Sequence, residues 1–163
     1  NTSSSSTASS AAGGGSGGGA ASASTSSAKT STKTTHLSPS NRNTCDHFQK
    51  FGEIYFSYVN PSQIKAWHIH KEMTLNYVAA FGKIKLVLYD DRMASSTNGI
   101  VQEIILSNDN HFLVSIPPMI WNGFCSADNN LAVLANCSDI PHDKEEIDRL
   151  PFDDPKFPYD WKK

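Results

Sequence analysis

Short segments in which apolar and polar positions alternate with a period of two residues make up most of the chain. In "EIYFSYV" (53–59), for example, Ile54, Phe56 and Tyr58 occupy every second position. Alternation of this kind, in stretches rich in β-branched and aromatic residues, predicts β-strands, since successive strand side chains point to opposite faces. Further segments of the same type lie at 74–81, 83–90, 100–106, 111–116 and 131–137.

The predicted strands are separated by stretches of turn-forming residues, such as "ASSTNG" (94–99) and "SADNN" (126–130). Asn, Asp, Ser and Gly favour turns because they tolerate unusual backbone angles or bond to their own backbone. One segment, "DKEEIDRL" (143–150), is a candidate helix of one or two turns. Many short strands at close spacing, with so little helix, predict an all-β sandwich or barrel.

Residues 1–43 differ in composition from the rest of the chain. They are almost wholly Ser, Thr, Ala and Gly, and residues 1–27 include no large apolar side chain. Such a stretch buries too little surface to offset its ordering entropy, so we expect a disordered tail. Because it carries Lys and Arg but no Asp or Glu, part of it also fits a transit peptide. The remainder, residues 44–163, suits one domain.

The charge and the cysteines narrow the class of protein. A net charge of −2 over 163 residues offers no broad basic field for nucleic acid. No run approaches the roughly 18 apolar residues of a membrane span. Cys45, Cys125 and Cys137 lack a CxxC spacing, which is typical of reduced thiols. We therefore predict a cytoplasmic protein, with organellar targeting by the tail as the open alternative.

The functional prediction depends on the segment "AWHIHKE" (66–72). On a strand, residues two apart share a face, so His68 and His70 point the same way, with Ala66 beside them. Trp67 and Ile69 then point the other way. Two imidazoles on the inner wall of a small barrel suit a metal site or acid–base catalysis, although a structural role is the plain alternative.

This segment resembles the first metal-binding motif of the cupins, in which Leu75 stands where a cupin usually has Glu. The stretch "PPMIWN" (117–122) resembles the second motif, in which Asn122 stands where a cupin usually has His. Two of the four usual ligands are therefore replaced by residues of another type. We predict no bound metal and no cofactor, and the histidine pair with Glu72 or Asn122 is the open alternative.

A closer resemblance is to the dTDP-4-dehydrorhamnose 3,5-epimerase family, a metal-independent branch of the cupins. Four stretches carry it, in the family's order and spacing: "KAWHIH" (65–70), "GKIKLVLYDDR" (82–92), "IPPMIWNGF" (116–124) and "FDDPKFPYDW" (152–161). The resemblance implies a double-stranded β-helix jelly roll, a nucleotide-sugar substrate and a homodimer. It also implies that His68 is the catalytic base, oriented by Asp154 or Asp153 of a C-terminal tail folded back on the barrel.

The chain departs from this family at other catalytic positions. The family's catalytic Tyr falls at Ala135 or Asn136, and its substrate-holding Lys falls near Leu75. The acid that returns the proton is therefore unassigned from sequence. Tyr77, Tyr55, Tyr89, His70 and water are the candidates, and His70 is alternatively suited to polarise a ketone.

Four residues are candidate substrate ligands: Lys65, Asn122, Tyr77 and Arg92. Lys65 and Arg92 would neutralise an anionic substrate. The predicted function is epimerisation of a 4-keto-6-deoxyhexose nucleotide at the carbons beside its ketone. Two alternatives stay open, namely a non-catalytic sugar-binding or metal-binding cupin and a metal-dependent cupin dioxygenase or isomerase.

Overall fold

The computed structural model describes residues 29–32 and 50–162. These residues form β-strands joined by turns and loops, and none of them is helical. The strands are β1 (Lys29–Thr32), β2 (Glu53–Val59), β3 (Ile64–His70), β4 (Leu75–Phe81), β5 (Lys83–Tyr89), β6 (Val101–Ser107), β7 (Phe112–Ile116), β8 (Trp121–Ser126), β9 (Ala132–Ser138) and β10 (Ile147–Arg149).

The strands make two antiparallel sheets that pack face to face. The front sheet has the order β1-β7-β4-β9-β2, and the back sheet has the order β10-β3-β8-β5-β6. Chain neighbours such as β2 and β3 therefore lie in different sheets, as in a jelly roll. The prediction of an all-β jelly roll is confirmed.

The main core lies between the two sheets. It is built from the apolar positions of the alternating segments. These side chains pack between the two sheets, and the polar positions face outward. Its buried members come from both sheets and include Val59, Leu75, Ala79, Ile84, Leu86, Leu106, Val114, Ile116 and Leu134.

A second hydrophobic cluster covers the other side of the back sheet. The C-terminal residues 150–162 fold back along this side, and Phe157 stacks on Trp67 with ring centroids 4.2 Å apart. We call this group the outer cluster; it comprises Trp67, Ile69, Val87, Trp121, Cys125, Phe157 and Trp161. The tail thus buries the face of β3 that points away from the histidines.

A β-bulge in β3 separates its two halves. Lys65 pairs with Phe124 and His68 pairs with Asn122, so β3 has one residue more than β8 over this interval. Strict alternation predicted that Ala66 points the same way as the histidines, and in the structure Ala66 also packs against the outer cluster. A Cβ on Gly123 of β8 would lie 2.3 Å from the Ala66 Cβ, so this close approach requires glycine.

Two predictions at the ends of the chain need correction or restriction. The predicted helix 143–150 is wrong, because Ile147–Arg149 form β10 and pair with His68–His70. Lys29–Thr32 form β1, paired with β7, inside the stretch predicted to be disordered. The rest of that stretch lies outside the described residues. In the part of the chain that the structure describes, no helix has the length and apolar character needed to cross a membrane.

Candidate active site

A cavity of about 580 Å³ opens between the two sheets at one edge. The strands β2 and β10 are the edge strands of their sheets on this side, and residues from both line it. We call it the edge cavity. Its polar lining residues are Glu53, Tyr55, Ser57, Lys65, His68, His70, Tyr77, His142 and Arg149.

His68 is buried in the wall of the edge cavity that belongs to the back sheet. Its Nε2 lies 3.2 Å from the hydroxyl of Tyr77, which comes from the front sheet. Burial lowers the pKa of His68 to about 3, and the neighbouring His70 and Arg149 act in the same direction. At neutral pH His68 is therefore a neutral imidazole.

Asn122 fixes the direction of the hydrogen bonds around Tyr77. Its amide nitrogen donates to the backbone carbonyls of His68 at 3.2 Å and Ile120 at 3.4 Å, which leaves its Oδ1 as an acceptor. The Tyr77 hydroxyl donates to this oxygen over 3.3 Å. The Tyr77 oxygen then accepts from His68, whose Nε2 carries the proton in this arrangement. In this chain of hydrogen bonds, Asn122 bonds to Tyr77, and Tyr77 bonds to the ring of His68.

His70 is bound to a carboxylate. Its Nδ1 lies 2.5 Å from Glu146 Oε2, and both side chains are buried. The other oxygen of Glu146 accepts from the backbone N–H groups of Glu72 at 2.9 Å and Met73 at 2.8 Å. Burial raises the pKa of Glu146, but these hydrogen bonds and the one from His70 outweigh it, so the net shift is downward.

Sequence reasoning missed Glu146. It lies 76 residues from His70 in the chain and inside the segment that was predicted to be a helix. Only the pairing of β10 with β3 brings the two together. The signal available in the sequence was an acidic residue next to a short apolar segment, which is too common to single out.

The structure does not bring Asp154 to His68. The Asp154 carboxylate accepts from the backbone N–H of Lys156 at 2.9 Å, within a turn of the C-terminal tail. That tail packs on the outer cluster, whereas His68 faces the core side of β3. Asp153 is exposed. The role proposed for Asp154 thus has no supporting contact here and stays a prediction.

The other sequence candidates are divided between the edge cavity and distant positions. Lys65 lines the cavity, and burial lowers the pKa of its ammonium group. Arg92 lies after β5 and forms an ion pair of 2.7 Å with Asp90, away from the cavity lining. Tyr89 packs against the outer cluster. Arg149, which the sequence did not single out, lines the cavity and pairs with His68 across β10 and β3.

Within the described residues, no three His, Cys, Asp or Glu side chains are grouped as a metal site requires. The arrangement instead provides two imidazoles, two phenols and two cationic side chains around one cavity. Groups of these types carry out proton transfer and bind an anionic substrate. A jelly roll with such an edge cavity places the protein in the cupin class of folds.

Comparison with known proteins identifies the family within this class. The family model for dTDP-4-dehydrorhamnose 3,5-epimerase matches residues 39–163. The probable low-salt glycan biosynthesis epimerase of Haloferax volcanii is 32% identical over 130 residues, which are 77% of this chain and 83% of that protein. The chain belongs to the dTDP-4-dehydrorhamnose 3,5-epimerase family, and the prediction of an isomerase is confirmed.

Solved structures agree with this assignment. A dTDP sugar isomerase from Desulfovibrio desulfuricans superposes with a TM-score of 0.72 at 42% identity, covering 75% of this chain and 78% of that one. A dTDP-4-dehydrorhamnose 3,5-epimerase from Bacillus anthracis gives a TM-score of 0.62 at 23% identity, covering 69% and 66%. At that lower identity the second comparison shows the shared fold alone.

Proposed function

We propose that the protein epimerises a 4-keto-6-deoxyhexose nucleotide at a carbon beside the ketone, by histidine-based proton abstraction. The observation that carries this proposal is the pair of buried histidines on one wall of the edge cavity. His68 and His70 have ring centroids 5.9 Å apart, and both line the cavity. A base, an electrophile and an opposing acid are the parts that such a reaction needs.

The chemistry suits a pair of imidazoles, of which His68 is neutral at neutral pH. Removal of the proton leaves an enolate, whose oxygen is stabilised by a hydrogen-bond donor placed in a dry site. A neutral histidine can remove the proton, and an imidazole N–H can donate to the enolate oxygen. His68 and His70 supply one group of each kind in a single wall.

The cavity also suits the charge and size of a nucleotide sugar. Lys65 and Arg149 line it and complement a diphosphate. Its volume of about 580 Å³ holds a sugar together with part of its nucleotide. The relatives from Haloferax volcanii and Desulfovibrio desulfuricans, a probable epimerase and a dTDP sugar isomerase, support this substrate class.

A homodimer is the second part of the proposal. The outward face of the edge strand β2 exposes Ile54, Phe56 and Tyr58, each by more than half of its surface. A row of large apolar side chains on an edge strand supports association with a second copy. A cytoplasmic location stays a prediction from the sequence.

Solvent exchange tests the reaction. Incubation of the protein with a dTDP-linked 4-keto-6-deoxyhexose in heavy water is expected to place deuterium at C3, C5 or both, because the histidine exchanges its proton with solvent. Mass spectrometry and NMR of the recovered sugar give the position. CDP, UDP and GDP sugars are tested in parallel, since the cavity lining does not specify which nucleobase the substrate carries.

Two outcomes would contradict the proposal and favour the alternatives. Binding of a sugar nucleotide with no exchange at any carbon would indicate a sugar-binding module. Exchange that is lost on chelation and restored by a divalent metal would indicate a metal-dependent cupin.

A further inference from the structure

We infer that Arg149 is a catalytic residue that binds the ketone oxygen of the substrate and stabilises the enolate formed there. The inference rests on the proposed function and adds a cationic donor for the oxygen to which an imidazole N–H also donates. It narrows the roles of the two cations in the edge cavity, because Lys65 then complements the diphosphate. The observations behind it are the strand register at Arg149, the surroundings of its guanidinium and the position of Lys65.

The first observation is the pairing of β10 with β3, in which Arg149 lies directly opposite His68. Directly opposite residues of an antiparallel pair project from the same face of the sheet, with Cβ atoms about 5 Å apart. Arg149 therefore projects from the face that carries the imidazoles, and it lines the edge cavity with them. The residue before it, Asp148, pairs with Ile69 of the outer cluster and points the other way.

The second observation concerns the surroundings of the guanidinium. Within the part of the chain that the structure describes, no carboxylate forms an ion pair with Arg149. Its charge instead acts on the buried groups of the site. Burial lowers the pKa of His68 to about 3, with smaller contributions from His70 and Arg149. Burial raises the pKa of Tyr77, and the charge of Arg149 opposes this rise. The donors of the guanidinium are therefore available to a ligand beside the imidazole and the phenol.

The third observation is the position of Lys65, the other cation described for the cavity. Lys65 precedes His68 on β3 by three residues, which span up to about 10 Å along a strand. Arg149 lies directly opposite His68. In a 4-keto nucleotide sugar the diphosphate is attached at C1, across the sugar ring from the ketone at C4. One cation beside the base and another farther along the same wall match this separation of ketone and diphosphate.

The reaction is balanced with Arg149 in this role. The histidine base takes the proton from the carbon beside the ketone, the C–H electron pair forms the carbon–carbon double bond, and the carbonyl electron pair moves onto oxygen. The guanidinium donates hydrogen bonds to this enolate oxygen and keeps its own protons, since arginine is not deprotonated in proteins. An acid on the opposite face then returns a proton to the carbon, and the electron pair on oxygen restores the ketone.

The substitution Arg149→Ala tests the inference through the steady-state kinetics of solvent exchange. We expect kcat to fall by about 10²- to 10³-fold with KM little changed, because the enolate loses donors that act in the transition state. Lys65→Ala should show the opposite pattern, mainly a higher KM, because the diphosphate is bound equally in the ground state and the transition state. The control is Lys144→Ala, which removes the same charge from an exposed residue outside the cavity lining.

Two further measurements distinguish a catalytic role of Arg149 from a structural one. Free guanidinium ion at millimolar concentration should restore part of the exchange rate of Arg149→Ala, since the side chain that is removed is exposed and its space is accessible. Binding of dTDP, which has the diphosphate but no ketone, should be unchanged in Arg149→Ala and weaker in Lys65→Ala. Calorimetry measures this binding without turnover.

Several results would overturn the inference. These are exchange in Arg149→Ala at the wild-type rate, a raised KM with unchanged kcat in that variant, loss of dTDP binding in that variant, or a lost rate that guanidinium ion does not restore. With an active wild type, each of them would leave the proposed function intact. If the wild-type protein exchanged no carbon of any sugar nucleotide, the proposed function would fail and the inference with it.

Discussion

The phenol of Tyr55 faces the histidine pair from the front sheet. It lines the edge cavity from β2 and pairs across the strands with Asn136, which in turn pairs with Tyr77. Burial raises the pKa of Tyr55 against smaller lowering effects of hydrogen bonds to Asn136 and Tyr77, so the phenol stays protonated. A protonated group opposite the base is what inversion at carbon requires.

We therefore expect Tyr55→Phe to separate exchange from inversion. The base still removes the proton and returns solvent deuterium to the same face, so deuterium enters the recovered substrate while the epimer does not form. NMR of the product mixture in heavy water measures both. Tyr58→Phe is the control, since Tyr58 lies on the other face of the same strand and is 64% exposed. Normal epimer formation in Tyr55→Phe would contradict this role.

The predictability of the site differs from residue to residue. His68 and His70 were found because a spacing of two residues on a strand is a local property of the sequence. Glu146 and Arg149 were not found, because their positions depend on the pairing of β10 with β3 across most of the domain. Asp154 was assigned the role of orienting His68 from a sequence motif. That motif does not specify on which side of the back sheet the C-terminal tail folds.

At the scale of elements, tertiary pairing decided the structure of residues 143–150. Their charged residues have good helix propensity, but propensity is a weak determinant when a neighbouring edge offers unpaired backbone groups. Pairing with β3 satisfies that edge of the back sheet. The strands with strong alternation needed no such context, and β2, β4 and β5 lie within one residue of their predicted bounds.

The C-terminal tail is an element whose stabilising effect can be measured. Phe157 is 6% exposed, and its ring packs between Trp67 and Trp121 with centroid distances of 4.2 and 5.2 Å. Phe157→Ala is expected to lower the free energy of unfolding by about 3–5 kcal/mol. Urea unfolding followed by tryptophan fluorescence measures it.

The matched control is Phe81→Ala, because Phe81 is 58% exposed. Its loss should change the free energy of unfolding by less than about 0.5 kcal/mol. Equal effects of the two substitutions would show that the tail does not stabilise the back sheet.

At the scale of the whole molecule, β2 is an edge strand among the described strands and exposes a row of apolar side chains. We expect the protein to be a dimer by light scattering at micromolar concentration. Phe56→Lys should shift it to a monomer, since a charge on the apolar row would be buried without a partner. The control is Met93→Lys, at a residue that is 95% exposed on a loop. A wild-type monomer would contradict the proposed homodimer.

More of the overall architecture than of the site could be predicted from the sequence. Alternation predicted the strands, and the family resemblance carried by four motifs implied a jelly roll. The outer cluster was not predicted, because its aromatic residues come from β3, β8 and the tail, which are far apart in the chain. A single β3 strand therefore contributes to both the outer cluster and the edge cavity.

The bulge in β3 has a consequence for how the gene can vary in length. Deleting one residue between Lys65 and His68 would let β3 pair regularly with β8 while His68 stays opposite Asn122, so the histidines should keep their direction. A one-residue deletion between His68 and His70 would instead make the two histidines adjacent and turn one imidazole away from the cavity. The site should therefore tolerate the loss of a residue at the bulge but not two positions further along the same strand.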